Sequence, residues 1–342
     1  MLKIVGDINL TDGFFDTGFG VGSRIKGGMD PFHNIQRDKA DLWIGNFEGV
    51  TANTSDKKGL AAKQFVIDPK SLSSFRHMDI YNVANNHVMQ HGAEAYKEMI
   101  DSIKGFGADY FGVNDKRYTC FNHQGKSVGI CGFNMRPENF SKNPLYWAMP
   151  ECDDIADTFS EISGDDIKIA YVHWGNEFMN YPYIDQVKFA HWLVDLGFDL
   201  IIGMHPHILQ GFEVYKGKHI FYSLGNFVFD MPWYKTHYSI IVSVDCSKQV
   251  PAVDYQYVEI GEDYCPKVVD KERVPEDCRF EHLNGLLDNI PENEDYYQQL
   301  FGYRSAYRKS NYAALIKNLH KFKVKDLTDI LTDFVKRKLG KA

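Results

Sequence analysis

The chain has 342 residues, 44% hydrophobic and 25% charged, so it can bury a full core and falls among ordinary soluble globular proteins. Its 38 Lys and Arg against 46 Asp and Glu leave a formal net charge of -8, which argues against a dedicated nucleic-acid or anionic-membrane surface, because phosphates are held by clustered cations. No stretch of about eighteen apolar residues occurs, so no transmembrane segment is expected. The six cysteines form no CxxC pair and read as reduced thiols, not as a zinc knuckle or disulfide frame.

In chain order, "MLKIVGDINL" opens directly as a short apolar strand, without the charged leader and cleavage site of a secretory signal. A cytoplasmic location is therefore expected. Further strand candidates are "ADLWIGNF", "KQFVI", "DIYNVAN", "KSVGICGF", "IKIAYVHW", "FDLIIGM", "HIFYSL" and "YSIIVSVDC". Helix-period segments lie between them near 69–77, 92–105, 151–162 and 182–196. The last, "PYIDQVKFAHWLVDLG", has Pro near its first turn and Gly197 at its end. This alternation predicts a layered α/β fold for residues 1–260. From about Glu262 the composition turns charged, Tyr-rich and helix-favouring, so 261–342 is expected to be a helical C-terminal region packed on the body. Its basic last ten residues read as a solvated helix end complementing the dipole.

Polar clusters stand just past the apolar runs. Asp7 and Asn9 follow "LKIV"; Asn46 and Glu48 follow "ADLWIG"; Asn85, Asn86 and His87 follow "DIYNVA"; His173 follows "IKIAYV"; His205 and His207 follow "FDLIIGM". Ligands bind at the carboxyl ends of strands in open α/β sheets, so five such clusters are expected to converge on one rim. A lone His or Asp at a strand end is usually a turn or cap residue; five together point to a metal site. Carboxylates, carboxamides and imidazoles without thiolate suit two divalent ions, Mn, Fe or Zn, that polarise a phosphoryl or acyl oxygen. Around the rim, "GSRIKGG" is a Gly-rich loop whose Arg24 and Lys26 can meet an anion. Most aromatics of "FYSLGNFVFDMPWY" belong to the core, while Trp233 and Tyr234 are candidates to line a substrate cleft.

The segments "GDINL", "NFEG", "ANNHVMQHG", "HWGNEF" and "GMHPHILQGFEVYKGKHIFYSLGNFVFD", in this order, resemble the CapA-like poly-gamma-glutamate capsule biosynthesis proteins of the calcineurin-like metallophosphoesterase superfamily, over roughly residues 2–231. The resemblance implies a four-layer α-β-β-α sandwich with a two-metal centre on one rim. It makes Asp7, Asn9, Glu48, Asn86, His173, His205 and His207 metal ligands, with Glu48 bridging. It casts His87 as the group that stabilises the transferring moiety or protonates the leaving oxygen, and Glu177 as an acceptor orienting His173. Two positions depart from the pattern: Gln90 stands where an aspartate is usual, and Met204 where a histidine is frequent.

The resulting expectation is a dinuclear metal-dependent hydrolase, a phosphoesterase used in capsule or poly-gamma-glutamate production, acting on a phosphorylated or polyanionic substrate. Two alternatives stay open: a noncatalytic scaffold subunit of a polymer-synthesis complex, and an amide hydrolase acting on gamma-linked glutamate.

Overall fold

The computed structural model describes residues 1–11, 20–74 and 77–339. In chain order it builds strands β1 (Leu2–Ile8) and β2 (Leu42–Phe47), the ribbon β3 (Val50–Thr51) with β4 (Val66–Ile67), then β5 (Ile80–Asn82) and β6 (Asp109–Phe111). Next come β7 (Tyr118–His123), β8 (Lys126–Asn134), β9 (Ile167–His173), β10 (Leu200–Met204), β11 (Phe212–Tyr215) and β12 (Lys218–Phe221). Last are β13 (Asn226–Val228), β14 (Tyr238–Asp245), β15 (Ala252–Ile260) and β16 (Pro266–Val268). The helices are α1 (Val21–Lys26), α2 (Ala93–Gly105), α3 (Cys152–Ile162), α4 (Ile184–Leu196), α5 (Phe280–Leu287), α6 (Asn293–Lys317) and α7 (Val324–Lys338).

One mixed sheet has the order β16-β15-β14-β1-β2-β5-β6, with β13 also paired to β1; the other has the order β11-β12-β10-β9-β8-β7. The parallel strands β1, β2 and β5 of the first sheet, and β8, β9 and β10 of the second, are apolar on both faces. That is the signature of strands covered from two sides. Successive residues divide between the layers with the period of two that a strand imposes. Ile4, Ile44, Ile169 and Ile202 fill one core between the sheets. Val5, Trp43 and Tyr81 face α2 through Ala95, Met99 and Ile103. Ala170 and Ile201 face Ile155 of α3 and Leu193 of α4. The result is a four-layer α-β-β-α sandwich.

Several local expectations change. The segment read as a Gly-rich loop is helix α1, because Val21 and Ile25, four apart, bury one stripe while Arg24 and Lys26 point outward. The helix expected near 69–77 is a 3₁₀ turn over Pro69–Ser74; 75–76 lie outside the described residues. β15 carries no apolar run to mark it, because its first half alternates exposed and half-buried residues at the sheet's edge. The region after 260 is not helical from its start: β16 pairs with β15, and α5 places Phe280 and Leu283 in the core between the sheets. α6 packs through Tyr296, Leu300 and Tyr307. α7 is tied to the body where Asp326 and Asp329 accept Lys63 at 2.7 and 3.6 Å. The six cysteines are free thiols, Cys120 and Cys152 exposed and the others buried. No described helix is long and apolar enough to cross a membrane.

Candidate metal centre

Two sheets deliver the predicted donors to one place. Asp7 lies near the end of β1, Glu48 directly follows β2, His173 ends β9, and His205 directly follows β10. Asp7, Glu48 and His207 bring donor atoms within 4.8 Å of one another, and so do Glu48, His173 and His205. Glu48 is common to both groups, and all five residues are buried. The rings of His173 and His205 are 4.7 Å apart, those of His205 and His207 5.8 Å.

The backbone is forced to make this convergence. The pairing of β1 with β2 slips register between Ile4 and Asp7, and that with β13 slips between Asp7 and Ile8. Such irregularities re-aim a side chain off a strand. Gly6 allows β13 to approach, since a Cβ there would lie 1.8 Å from the Gly225 carbonyl. His205 and His207 hold φ of 98° and 61°, and Phe65 and Phe178, which flank them, 57° and 69°. Left-handed backbone at four non-glycine residues around one point is strain that only a tightly determined site sustains.

Hydrogen bonds account for some donors and leave others without a partner. Both carboxylate oxygens of Glu48 and both ring nitrogens of His205 are buried with no hydrogen-bond partner. Buried polar atoms are nearly always satisfied, so oxygen and nitrogen donors aimed at one another fit a bound cation. The electrostatics agree. Burial, opposed by the Asn46 hydrogen bond and the His205 N–H, leaves Asp7 raised to about 7. Burial, then the proximity of Asp7 and Glu177, pushes Glu48 well up. Burial also depresses His87 and His207 to about 4, and His173 and His205 well below the ordinary range. Carboxyls that resist ionising beside imidazoles that resist protonation lack a positive charge that a divalent ion supplies.

A second layer orients these groups. Asn46 Nδ2 donates to Asp7 Oδ1 at 2.7 Å and lies 3.4 Å from His173 Nδ1, while Asn82 Nδ2 donates to Asn46 Oδ1 at 2.8 Å. Asn226 Oδ1 holds His207 Nδ1 at 3.0 Å, its own amide nitrogen being spent on the Thr236 carbonyl at 3.3 Å. His207 therefore carries its proton on Nδ1 and turns Nε2 to Glu48 Oε1, 3.5 Å away. Asn86 Oδ1 reaches His173 Nε2 at 2.8 Å, beside the second group. Asn9 plays a different part. It donates to the Glu48 carbonyl at 2.8 Å and accepts from the Thr11 amide at 2.9 Å, so its carboxamide fixes the turn that carries Glu48. Sequence reasoning gives Asn46 no separate role and passes over Asn82 and Asn226. The signal that could have found them is a buried-type carboxamide in or just after an apolar run.

His87 stands at the edge of the cluster, its Nε2 3.6 Å from Glu48 Oε1 and its ring stacked on Phe65 at 3.6 Å. Gln90 Oε1 holds its Nδ1 at 2.6 Å, while Gln90 Nε2 faces the Gln64 carbonyl at 3.4 Å, which sets the amide's orientation. Gln90 thus keeps the positioning role of the usual aspartate but brings no charge. Glu177, expected to hold His173, instead lines a cavity of about 420 Å³ in front of the cluster, together with Phe65, His87, Phe178, His207 and Arg304.

The expected substrate-binding residues lie elsewhere. Arg24 sits over the Tyr264 ring at 5.3 Å and lines a second cavity of about 620 Å³, and Lys26 is exposed. Trp233 is buried in an aromatic cluster with Phe178 and Tyr307, and the Tyr234 hydroxyl donates to Asp277 at 2.6 Å. Neither lines the cavity before the cluster: Trp233 packs behind its wall on Phe178, with ring centroids 6.1 Å apart, and Tyr234 is turned to Asp277.

Comparison with known proteins agrees with this region. The model of the family described as bacterial capsule synthesis protein PGA_cap matches residues 2–231. The chain is 33% identical over 230 residues to the capsule biosynthesis protein CapA of Bacillus anthracis, covering 59% of this chain and 54% of that protein. It is 31% identical over 222 residues to the PGA biosynthesis protein CapA of Bacillus subtilis (strain 168), covering 61% and 58%. The match thus spans little more than half the length of these curated relatives. Among solved structures, a phosphatase from Mycoplasma pneumoniae aligns with a TM-score of 0.46 and 11% identity, over 77% of this chain and 95% of that one.

Proposed function

The chain belongs to the bacterial capsule synthesis protein family, and from that premise we propose that it is a dinuclear metal-dependent hydrolase of the phosphoesterase class serving capsule or poly-gamma-glutamate production. One observation carries the reading: two buried ligand groups share Glu48, whose oxygens, like the His205 nitrogens, have no hydrogen-bond partner. Asp7, Glu48 and His207 would hold one ion; Glu48, His173 and His205, with Asn86 beside them, would hold the other. When bound, such a pair polarises a phosphoryl oxygen and offsets the charge developing on it.

The chain's own residues supply the rest. Asn46 and Asn226 keep Asp7 and His207 in the rotamer and tautomer that ligation needs. Asn9 positions Glu48 through its amide nitrogen, which donates to the Glu48 carbonyl, while Thr11 holds its oxygen. His87, donating Nδ1–H to Gln90, presents Nε2 to the cavity, where it can take up or return a proton at the ester oxygen. A neutral carboxamide stabilises the imidazolium less than a carboxylate would, so this proton transfer is weaker than in an Asp-backed histidine. Phe65, Phe178 and Met231 give the cavity an apolar stretch of wall.

The test is elemental analysis with aryl phosphate hydrolysis. Metal-loaded protein should hold about two transition-metal ions, His205→Ala and His207→Ala one each, and Asp7→Ala and His205→Ala should lose hydrolysis while keeping the fold. Full activity in both of the last two would refute the reading. A second reading, an assembly subunit, draws on apolar side chains left exposed on α6 and α7, Phe301 at 73% and Leu331 at 64%; a chain that retains no metal after loading would favour it.

A further inference from the structure

The cavity before the cluster has a wall that belongs to none of the predicted motifs. Arg304, Tyr307 and Arg308 of α6 line it together with His87, Glu177 and His207. At spacings of three and four they share one helix face. That face is pinned: Tyr307 is 5% exposed and stacks on Phe178 with ring centres 3.8 Å apart and planes at 13°. Phe178, held at φ 69° by the Pro206 carbonyl accepting its N–H at 2.9 Å, is fastened in turn to the loop that carries His205 and His207. The helix is thus registered on the metal-ligand loop itself.

Among the described residues neither guanidinium on this face is within ion-pair distance of a carboxylate, although Glu177 lines the same cavity. Arg304 Nε is buried without a hydrogen-bond partner. A partly buried guanidinium left unpaired is costly unless something completes it. Its planar fork matches oxyanions bidentately. A tetrahedral phosphoryl group has enough non-bridging oxygens to face the cluster on one side and two forks on the other, which a planar carboxylate has not.

We infer that Arg304 and Arg308 form a clamp for the phosphoryl group of a phosphomonoester substrate, delivered by α6 from beyond the 2–231 segment that the family model matches. The inference rests on the hydrolase reading for its substrate class, but it is read out separately. Metal-loaded protein is titrated calorimetrically with inorganic phosphate, beside the double variant Arg304→Gln, Arg308→Gln, with metal content measured on both. Both positions are partly or fully exposed, and Tyr307 keeps α6 docked, so the variant should fold and retain its metal. Affinity should fall about tenfold or more per guanidinium removed, and KM for an aryl phosphate should rise more than kcat falls. Equal phosphate affinity in the two proteins overturns the clamp, as does a native chain that binds no phosphate. Arginine-dependent phosphate binding in a protein that hydrolyses no ester supports the clamp and removes only the hydrolase reading; hydrolysis with an unchanged KM does the reverse.

Discussion

Replacing Glu48 with Leu should make the metal-free protein more stable and the metal-loaded protein less so. Glu48 is 0% exposed and neither carboxylate oxygen has a hydrogen-bond partner. An unsatisfied buried polar atom costs about 1–3 kcal/mol. With half of that recovered by local relaxation, removing two such atoms in favour of the shorter, wholly apolar Leu side chain should stabilise the metal-free fold by about 2 kcal/mol. In the native chain a divalent ion at a hundredfold excess over its Kd adds about 2.7 kcal/mol per site. Because Glu48 belongs to both ligand groups, the variant forfeits both. The order of stabilities therefore inverts on adding metal. Urea midpoints followed by tryptophan fluorescence, in EDTA and again in excess Mn²⁺, measure both differences. If EDTA-treated native protein is at least as stable as Glu48→Leu, the carboxylate is satisfied within the protein and the argument for bound cations fails.

Two further outcomes follow from the fold. Gly203→Ala puts a Cβ 2.1 Å from the Tyr222 carbonyl and 2.4 Å from Trp174 Nε1, neither of which can withdraw, since the indole donates to that carbonyl at 2.9 Å. It should destabilise by about 1–3 kcal/mol and weaken metal retention two residues on at His205; an unchanged urea midpoint would contradict this. Asp199 accepts Lys218 Nζ at 2.5 Å and the Lys168 amide at 2.9 Å; burial alone would raise its pKa, but these bonds outweigh it and hold the group below its ordinary 3.8. A carboxyl depressed on folding adds stability that is full above the unfolded value and lost as pH falls through the folded one. Asp199→Asn should therefore cost about 1 kcal/mol at pH 7, after discounting for partial exposure, and progressively less below pH 4. A native-to-variant difference in urea midpoint that stays constant from pH 7 to pH 3 would refute the assignment.

Much of the site was legible because its donors follow short apolar runs, and a run's end is a local property. β1, β2, β9 and β10 each announce themselves by composition, and Asp7, Glu48, His173 and His205 follow from their ends. The neighbouring glycines misled in "GSRIKGG", where two buried apolar residues four apart outweighed local flexibility and made α1. Asn9 shows a further limit of a local reading: its type fits a ligand, but only the turn geometry shows its amide nitrogen also holding the Glu48 carbonyl. Trp233 and Tyr234 closely follow the lining residue Met231 in sequence, but Trp233 packs behind the wall on Phe178 and Tyr234 bonds Asp277, which only the packing shows.

The sequence by itself determined the layered α/β class, the strand ends and the kinds of atom they offer, since hydrophobic period and donor chemistry are written residue by residue. Only the tertiary structure decided that Asn46 and Asn226 set the orientations of Asp7 and His207, and that α6 brings Arg304 and Arg308 to the cavity beside them. The physical reason is that side-chain direction and the docking of distant elements depend on how two sheets and a later helix pack, and no local window of the chain contains that information.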